Sequence, residues 1–295
     1  MGERVFKTLD QQLDILISRG VDIKEEDRES AKDFLLKNNY YRISGYSLTL
    51  RNHDVFYDNV TLQNIIDIYN FDHKLRHILL EHLEEVEVQI KSVFAYEFSK
   101  LYGGTGYLDS NNFTNLNEYI RIISKANEQR DKNLSDEAYI QHYVNDLQES
   151  MPIWAYVDLL TFSDISILYS ISKPELQNTI ADRFGLKNNN KADLLKEYLR
   201  GLTILRNFCA HGRRLFNRLF VRKPTLSSKE KKLLLKNENG IVDNSHLFGF
   251  ILELKRILPC DDYGKLKASI IDLSNKYPFV GMKYYGFCED WENLI

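Results

Sequence analysis

Apolar positions recur every three to four residues through most of the chain, the spacing of helices that bury one face. Leu9, Leu13, Leu16 and Ile17 trace a first short helix over residues 8–19, with Gly20 as its stop. A second helix spans 24–37 and breaks at Asn38 and Asn39. A compact aromatic segment follows at 40–46, then a loop or short hairpin at 54–59. Thr61 opens the longest helix, in which Ile65, Ile68, Tyr69, Leu75, Leu79, Leu83, Val86, Ile90 and Phe94 form one stripe that Asp72 interrupts. Arg76, Glu81, Glu84, Glu85 and Lys91 mark its opposite, charged face, and Gly103 and Gly104 end it. Residues 103–135 read as loop plus short helix. Further helices are expected at 135–149, 153–160, 162–172, 174–184 and 191–211, with Pro174 in a first turn. The tail carries helical patches at 228–236, 246–257 and 266–276.

Few segments alternate apolar and polar residues long enough to be strands. The pattern therefore predicts an all-α fold, a helical bundle. Its expected parts are an N-terminal helical segment over 1–60, a helical core over 61–225 and a C-terminal helical extension over 226–295.

Composition adds bounds. The chain has 295 residues, 43% of them hydrophobic, and a formal net charge of −3, enough for a substantial core. No stretch approaches the roughly 18 consecutive apolar residues of a membrane helix. The opening segment lacks the apolar centre of a secretory signal, and Gly2 is not followed by a myristoylation pattern. Cys209, Cys260 and Cys288 are far apart and make neither a disulfide framework nor a metal pattern. A cytoplasmic protein is the expectation. The mild overall charge hides a basic run from Arg206 to Lys236, in which Glu230 is the only acid. Such a run attracts a polyanion, or is simply a solvated surface.

The run begins with Arg206, Asn207 and His211 near a helix end. At about 100° per residue, Asn207 and His211 share a face and Arg206 lies beside Asn207. Gly212 lets the chain turn directly afterwards. A cation, an amide and an imidazole at one helix end suit RNA cleavage. Histidine moves protons near neutral pH, arginine binds phosphate, and the RNA supplies its own 2′-hydroxyl as nucleophile, so the chemistry requires no metal and no cofactor. Taken alone, the R-x-x-x-x-H spacing is common and more often structural than catalytic. His73, His77 and Glu81 have a spacing that could hold zinc, but no further ligand supports it, and ordinary surface pairing of this helix face is the preferred reading. Tyr40, Tyr41 and Tyr46 could stack on bases; packing is expected for two of the three. No phosphate-cradling glycine loop and no G-x-S-x-G elbow is present.

The flanks of the motif carry more. The segment 205–218, LRNFCAHGRRLFNR, resembles the signature of HEPN proteins, and more specifically of the Abi-like family of abortive-infection proteins, the AbiD/AbiF group. Upstream, NYYRISGY at 39–46, FDHKLR at 71–76 with Glu84 and Glu87, and Pro152-Ile153-Trp154 with LTFSD at 160–164 resemble further blocks of that family in the same order. Ser163 stands where the family has glycine, and Asp158 where glutamate is expected. The resemblance implies a HEPN-type helical bundle and a metal-independent endoribonuclease of an antiphage or toxin–antitoxin system. Arg206 and His211 would be the catalytic pair with Asn207 between them, and a homodimer would supply the second copy of the motif. RNA, including a structured small non-coding RNA, is the implied partner. The residues expected to contact it are Arg42, Arg76, Arg213, Arg214, Arg218, Arg222 and Lys223. Two other readings use the same residues: a non-catalytic protein that only holds a structured RNA, and a module that binds an acidic protein.

Overall fold

A computed structural model describes residues 5–236 and 240–294; the Gly2 pattern lies outside them. Among the described residues the chain is all-α, with one two-stranded sheet. The N-terminal segment holds α1 (Leu9–Ser18), α2 (Arg28–Asn38) and α3 (Tyr40–Ser44), then the hairpin of β1 (Arg51–Asn52) and β2 (Val55–Phe56), paired antiparallel with Arg51 opposite Phe56. Next come α4 (Leu62–Tyr102), α5 (Leu116–Asn133), α6 (Ala138–Gln141), α7 (Ile153–Tyr156), α8 (Phe162–Ser170), α9 (Pro174–Arg183) and α10 (Lys191–Ala210). The remaining helices are α11 (Ser228–Lys231), α12 (Leu247–Ile257), α13 (Cys260–Lys276) and α14 (Trp291–Leu294).

Helix α4, 41 residues and therefore about 60 Å long, is the axis of the molecule. Its ends are set by local chemistry. The Thr61 hydroxyl accepts the Asn64 N–H while the Asn64 side chain accepts from Thr61, so asparagine completes the capping box that glutamate or glutamine usually closes. Gly103, at φ +76°, ends the helix in a backbone conformation that costs glycine little. Its stripe from Ile65 to Phe98 is buried against α7, α8, α9, α10 and α13. Each such side chain contributes on the order of 1.5–3 kcal/mol by leaving water.

Helix α12 packs on α10, α13 lies along α4, and the Tyr285 hydroxyl reaches Asp72 of α4. Helices α12 and α13 thus share the core with α4 and α10.

Other differences are local. Residues 116–133 form a full helix: Asn115 caps it by accepting from Glu118 N–H, and only Tyr119, Ile122 and Ala126 are buried, too sparse a stripe to read. The patch expected at 228–236 stops at Lys231, and Leu234 and Lys236 instead form β-bridges to Phe287 and Val242. No described helix is long and apolar enough to cross a membrane.

Candidate functional site

The site is built around the C-terminus of α10. Leu195, Tyr198, Leu199, Leu202, Leu205 and Cys209 bury one face of this helix. His211 is its C-cap, and Gly212 follows at φ +61°. The Gly212 N–H donates to the Cys209 carbonyl at 3.1 Å and the Arg213 N–H to the Phe208 carbonyl at 2.9 Å. This pairing closes a helix through a left-handed residue and satisfies its last carbonyls. It turns the chain sharply, so that His211 and the arginines after it project from one end of the helix.

Those side chains line a cleft of about 650 Å³ between the loop after α10 and the α3 segment. Arg42 and Tyr41 come from α3, and His211, Arg213, Arg214 and Arg218 from the loop. The lining contains no carboxylate. Two reciprocal bonds hold the walls together: Arg42 Nη2 donates to the Gly212 carbonyl and Arg214 Nη1 to the Gly45 carbonyl, both at 2.6 Å. The Arg213 and Arg218 guanidiniums lie over the Phe208 ring, 5.2 and 5.0 Å from its centre, which restrains both before any ligand arrives. Tyr41 is 86% exposed, whereas Tyr46 is buried and Tyr40 half-buried, so two of the three tyrosines pack.

Beneath the cleft lies Asp72, fully buried. One carboxylate oxygen accepts the Phe216 N–H at 2.7 Å, the Leu215 N–H at 3.1 Å and the Tyr285 hydroxyl at 3.1 Å. The other accepts the Tyr46 hydroxyl at 2.8 Å and pairs closely with Arg76. Burial pushes this carboxyl above the usual range, against the pull of Arg76, Tyr46 and the two amides. One side chain on α4 thus fixes the post-α10 loop, the α3 segment and the tail at once. Asp72 does not interrupt the stripe; it is its polar anchor.

The remaining expected residues lie outside the cleft lining. Arg206 turns toward α4, where its Nη2 is 3.3 Å from Glu87, which Lys91 also pairs at 3.2 Å. Asn207 lines a different groove, between α8 and α10. Arg76, expected on the exposed charged face and among the RNA contacts, is instead buried against Asp72, because its partner lies inside the fold. Arg222 is paired with Glu197 of α10, which removes it from the cleft. Lys223 is exposed but outside the cleft lining. Asp158 is exposed in a groove with Trp154 and Tyr96, apart from His211. The His73 and His77 Nε2 atoms are 3.3 Å apart, and no group of three or more metal-binding side chains occurs among the described residues. Burial pushes the Cys209 thiol up to about 12, so a thiolate nucleophile inside the motif is disfavoured. Sequence reasoning missed Tyr285, which lies in a tail without a local signal, and the structural weight of Asp72.

No curated protein and no solved structure matches the chain. A family model does, that of the Abi-like proteins, over residues 33–217, a span that takes in α3, Asp72, α10 and the loop as far as Arg213 and Arg214; the chain belongs to the Abi-like family.

Proposed function

We propose that this chain acts in abortive infection, in the cytoplasm, as an RNA-binding HEPN-type endoribonuclease. The observation that carries the reading is the acid-free cleft in which His211 stands among Arg42, Arg213, Arg214 and Arg218. Four guanidiniums without a carboxylate select a polyanion. An exposed imidazole among them is positioned to move a proton beside a bound phosphate. Exposed Tyr41 offers a ring for an unpaired base.

In the proposed reaction His211 takes the proton of a ribose 2′-hydroxyl, and the 2′-oxygen forms a bond to the adjacent phosphorus. The bond from phosphorus to the 5′-oxygen breaks, its electron pair leaves with that oxygen, and a second imidazole returns a proton to it. The products are a 2′,3′-cyclic phosphate and a 5′-hydroxyl. One copy contributes one such histidine to the cleft, so a homodimer supplies the second. Arg206 holds Glu87 in the single chain, and the charge growing on the phosphate meets the cleft arginines first.

The test uses 5′-labelled RNA, with His211→Ala and His211→Asn beside the parent and folding checked by circular dichroism. Loss of a proton-transfer group is expected to slow cleavage about 10²–10⁴-fold while binding persists. Undiminished cleavage by His211→Ala would remove the catalytic assignment. A second reading, a protein that holds a structured small RNA without cutting it, is favoured by the turn of Arg206 away from His211 toward Glu87. Salt-sensitive binding with no cleavage of any RNA by the parent dimer would establish that reading.

A further inference from the structure

We propose that a second groove, along α10, continues the His211 cleft and holds the phosphodiester backbone of single-stranded RNA; this rests on the RNA reading above. The groove has a volume of about 670 Å³ and lies between α8, α10 and the start of α5. From α10 it is lined by Lys196, Arg200 and Asn207. With His211 these residues follow one another at intervals of four, seven and four, so they share one face of the helix. From Lys196 to His211 the face runs about 22 Å. Asn207, at the end of the groove, and His211, in the arginine cleft, are one turn apart, which makes the two concavities neighbours on one track.

The chemistry of the groove suits phosphate. Neither Lys196 nor Arg200 has an ion pair or hydrogen bond among the described residues. Opposite them, Ser163 and Ser166 of α8 line the groove with hydroxyls that have no hydrogen-bond partner among the described residues. A free hydroxyl can donate to a phosphate oxygen. The one carboxylate at the rim, Glu118, is already bonded to Arg121 at 2.8 and 3.0 Å. No aromatic side chain lines this groove, so it grips backbone, while the base-stacking ring, Tyr41, stands in the next cleft.

The probe is 2′-O-methyl oligouridine, which cannot undergo attack by a 2′-hydroxyl. Fluorescein-labelled strands of roughly 4 to 16 nucleotides, the range such grooves occupy, are titrated with the full chain by anisotropy at several salt concentrations. Parent affinity is expected to rise with length. In Lys196→Gln/Arg200→Gln that gain disappears. The slope of log affinity against log salt for the longest strand falls by about 1.4, two contacts at about 0.7 each, and the shortest strand binds as before. Arg213→Gln/Arg218→Gln weakens strands of every length. An unchanged slope and affinity in Lys196→Gln/Arg200→Gln, with Arg213→Gln/Arg218→Gln weakened, overturns the groove and leaves the cleft reading intact. Failure of the parent to bind any strand overturns both. A duplex weakened by Lys196→Gln/Arg200→Gln as much as the longest single strand overturns the single-strand assignment.

Discussion

The sharpest quantitative consequence of the fold concerns Asp72. Asp72→Asn keeps the shape of the side chain and removes its charge. The amide oxygen can still accept the Leu215 and Phe216 amides and the Tyr285 hydroxyl, the three donors that now share one carboxylate oxygen. The amide nitrogen then faces Arg76, which is 3% exposed and has Asp72 as its ion-pair partner. A buried charge deprived of its partner costs about 3–5 kcal/mol. Against a total stability of about 5–15 kcal/mol, that is a large share. Arg76→Met should cost less, because the carboxylate keeps both amides and both tyrosine hydroxyls. Asp72→Asn/Arg76→Met removes both charges and should recover much of the loss. Urea unfolding followed by circular dichroism gives the four stabilities of the cycle. A coupling of at least about 2 kcal/mol is expected, in the range of directly interacting residues, with Asp72→Asn the worse single change. Additivity within about 0.5 kcal/mol would show that the pair is not the coupled unit described.

Two further outcomes concern α12 and the turn that ends α10. Burial raises the Glu253 carboxyl to about 8; its one bonded oxygen accepts the Thr225 N–H, and the other has no partner and lies against Gly201. A carboxyl whose folded pKa exceeds its unfolded value gives its full stability below about pH 4.5 and loses it as pH rises to about 8. Between pH 6 and 9 the parent should therefore lose about 2–3 kcal/mol relative to Glu253→Gln, at 1.36 kcal/mol per unit; parallel unfolding curves for the two proteins would contradict this. Gly212→Ala places a Cβ in ordinary contact with Arg42 but strains a residue at φ +61°, at a cost of about 1–2 kcal/mol, and Gly212→Asn should cost less. Equal midpoints of urea unfolding for glycine, asparagine and alanine would refute the role given to that turn.

What the sequence made legible was local. The ends of α4 and α10 follow from Thr61, Gly103 and Gly212, whose effects act within a few residues. The cleft arginines Arg213, Arg214 and Arg218 were legible because they follow His211 directly, and Arg42 because its segment carried a family block. Depth was not legible. Periodicity gives the direction in which a side chain points, but what covers it depends on partners far along the chain. Asp72 bonds residues 26, 143, 144 and 213 positions away, and no local pattern reports them. Arg76 was misplaced for that reason, and Arg222 because Glu197 lies in another element. Lys196 and Arg200 stand at helical spacing from Asn207 and His211, a signal present in the sequence but overshadowed by the denser charge after Arg206.

The division of labour within the loop after α10 also decides how a phosphate would be recognised. The Leu215 and Phe216 amides point inward and are consumed by Asp72, and the Gly212 and Arg213 amides are consumed by the turn that ends α10. The loop therefore has few backbone donors left to cradle an anion, unlike a glycine-rich phosphate loop. Under the proposed function recognition would fall to guanidiniums, and the fold restrains them one by one. Arg42 and Arg214 are each tied to a carbonyl of the opposite wall, and Arg213 and Arg218 to the Phe208 ring. Lysine would keep the charge at these four positions but lose the planar fork that bonds a carbonyl or ring and a phosphate at once. The buried carboxylate and the exposed arginines are thus two sides of one design: Asp72 uses the loop's backbone to fix its path, and the side chains that project from that path provide the site.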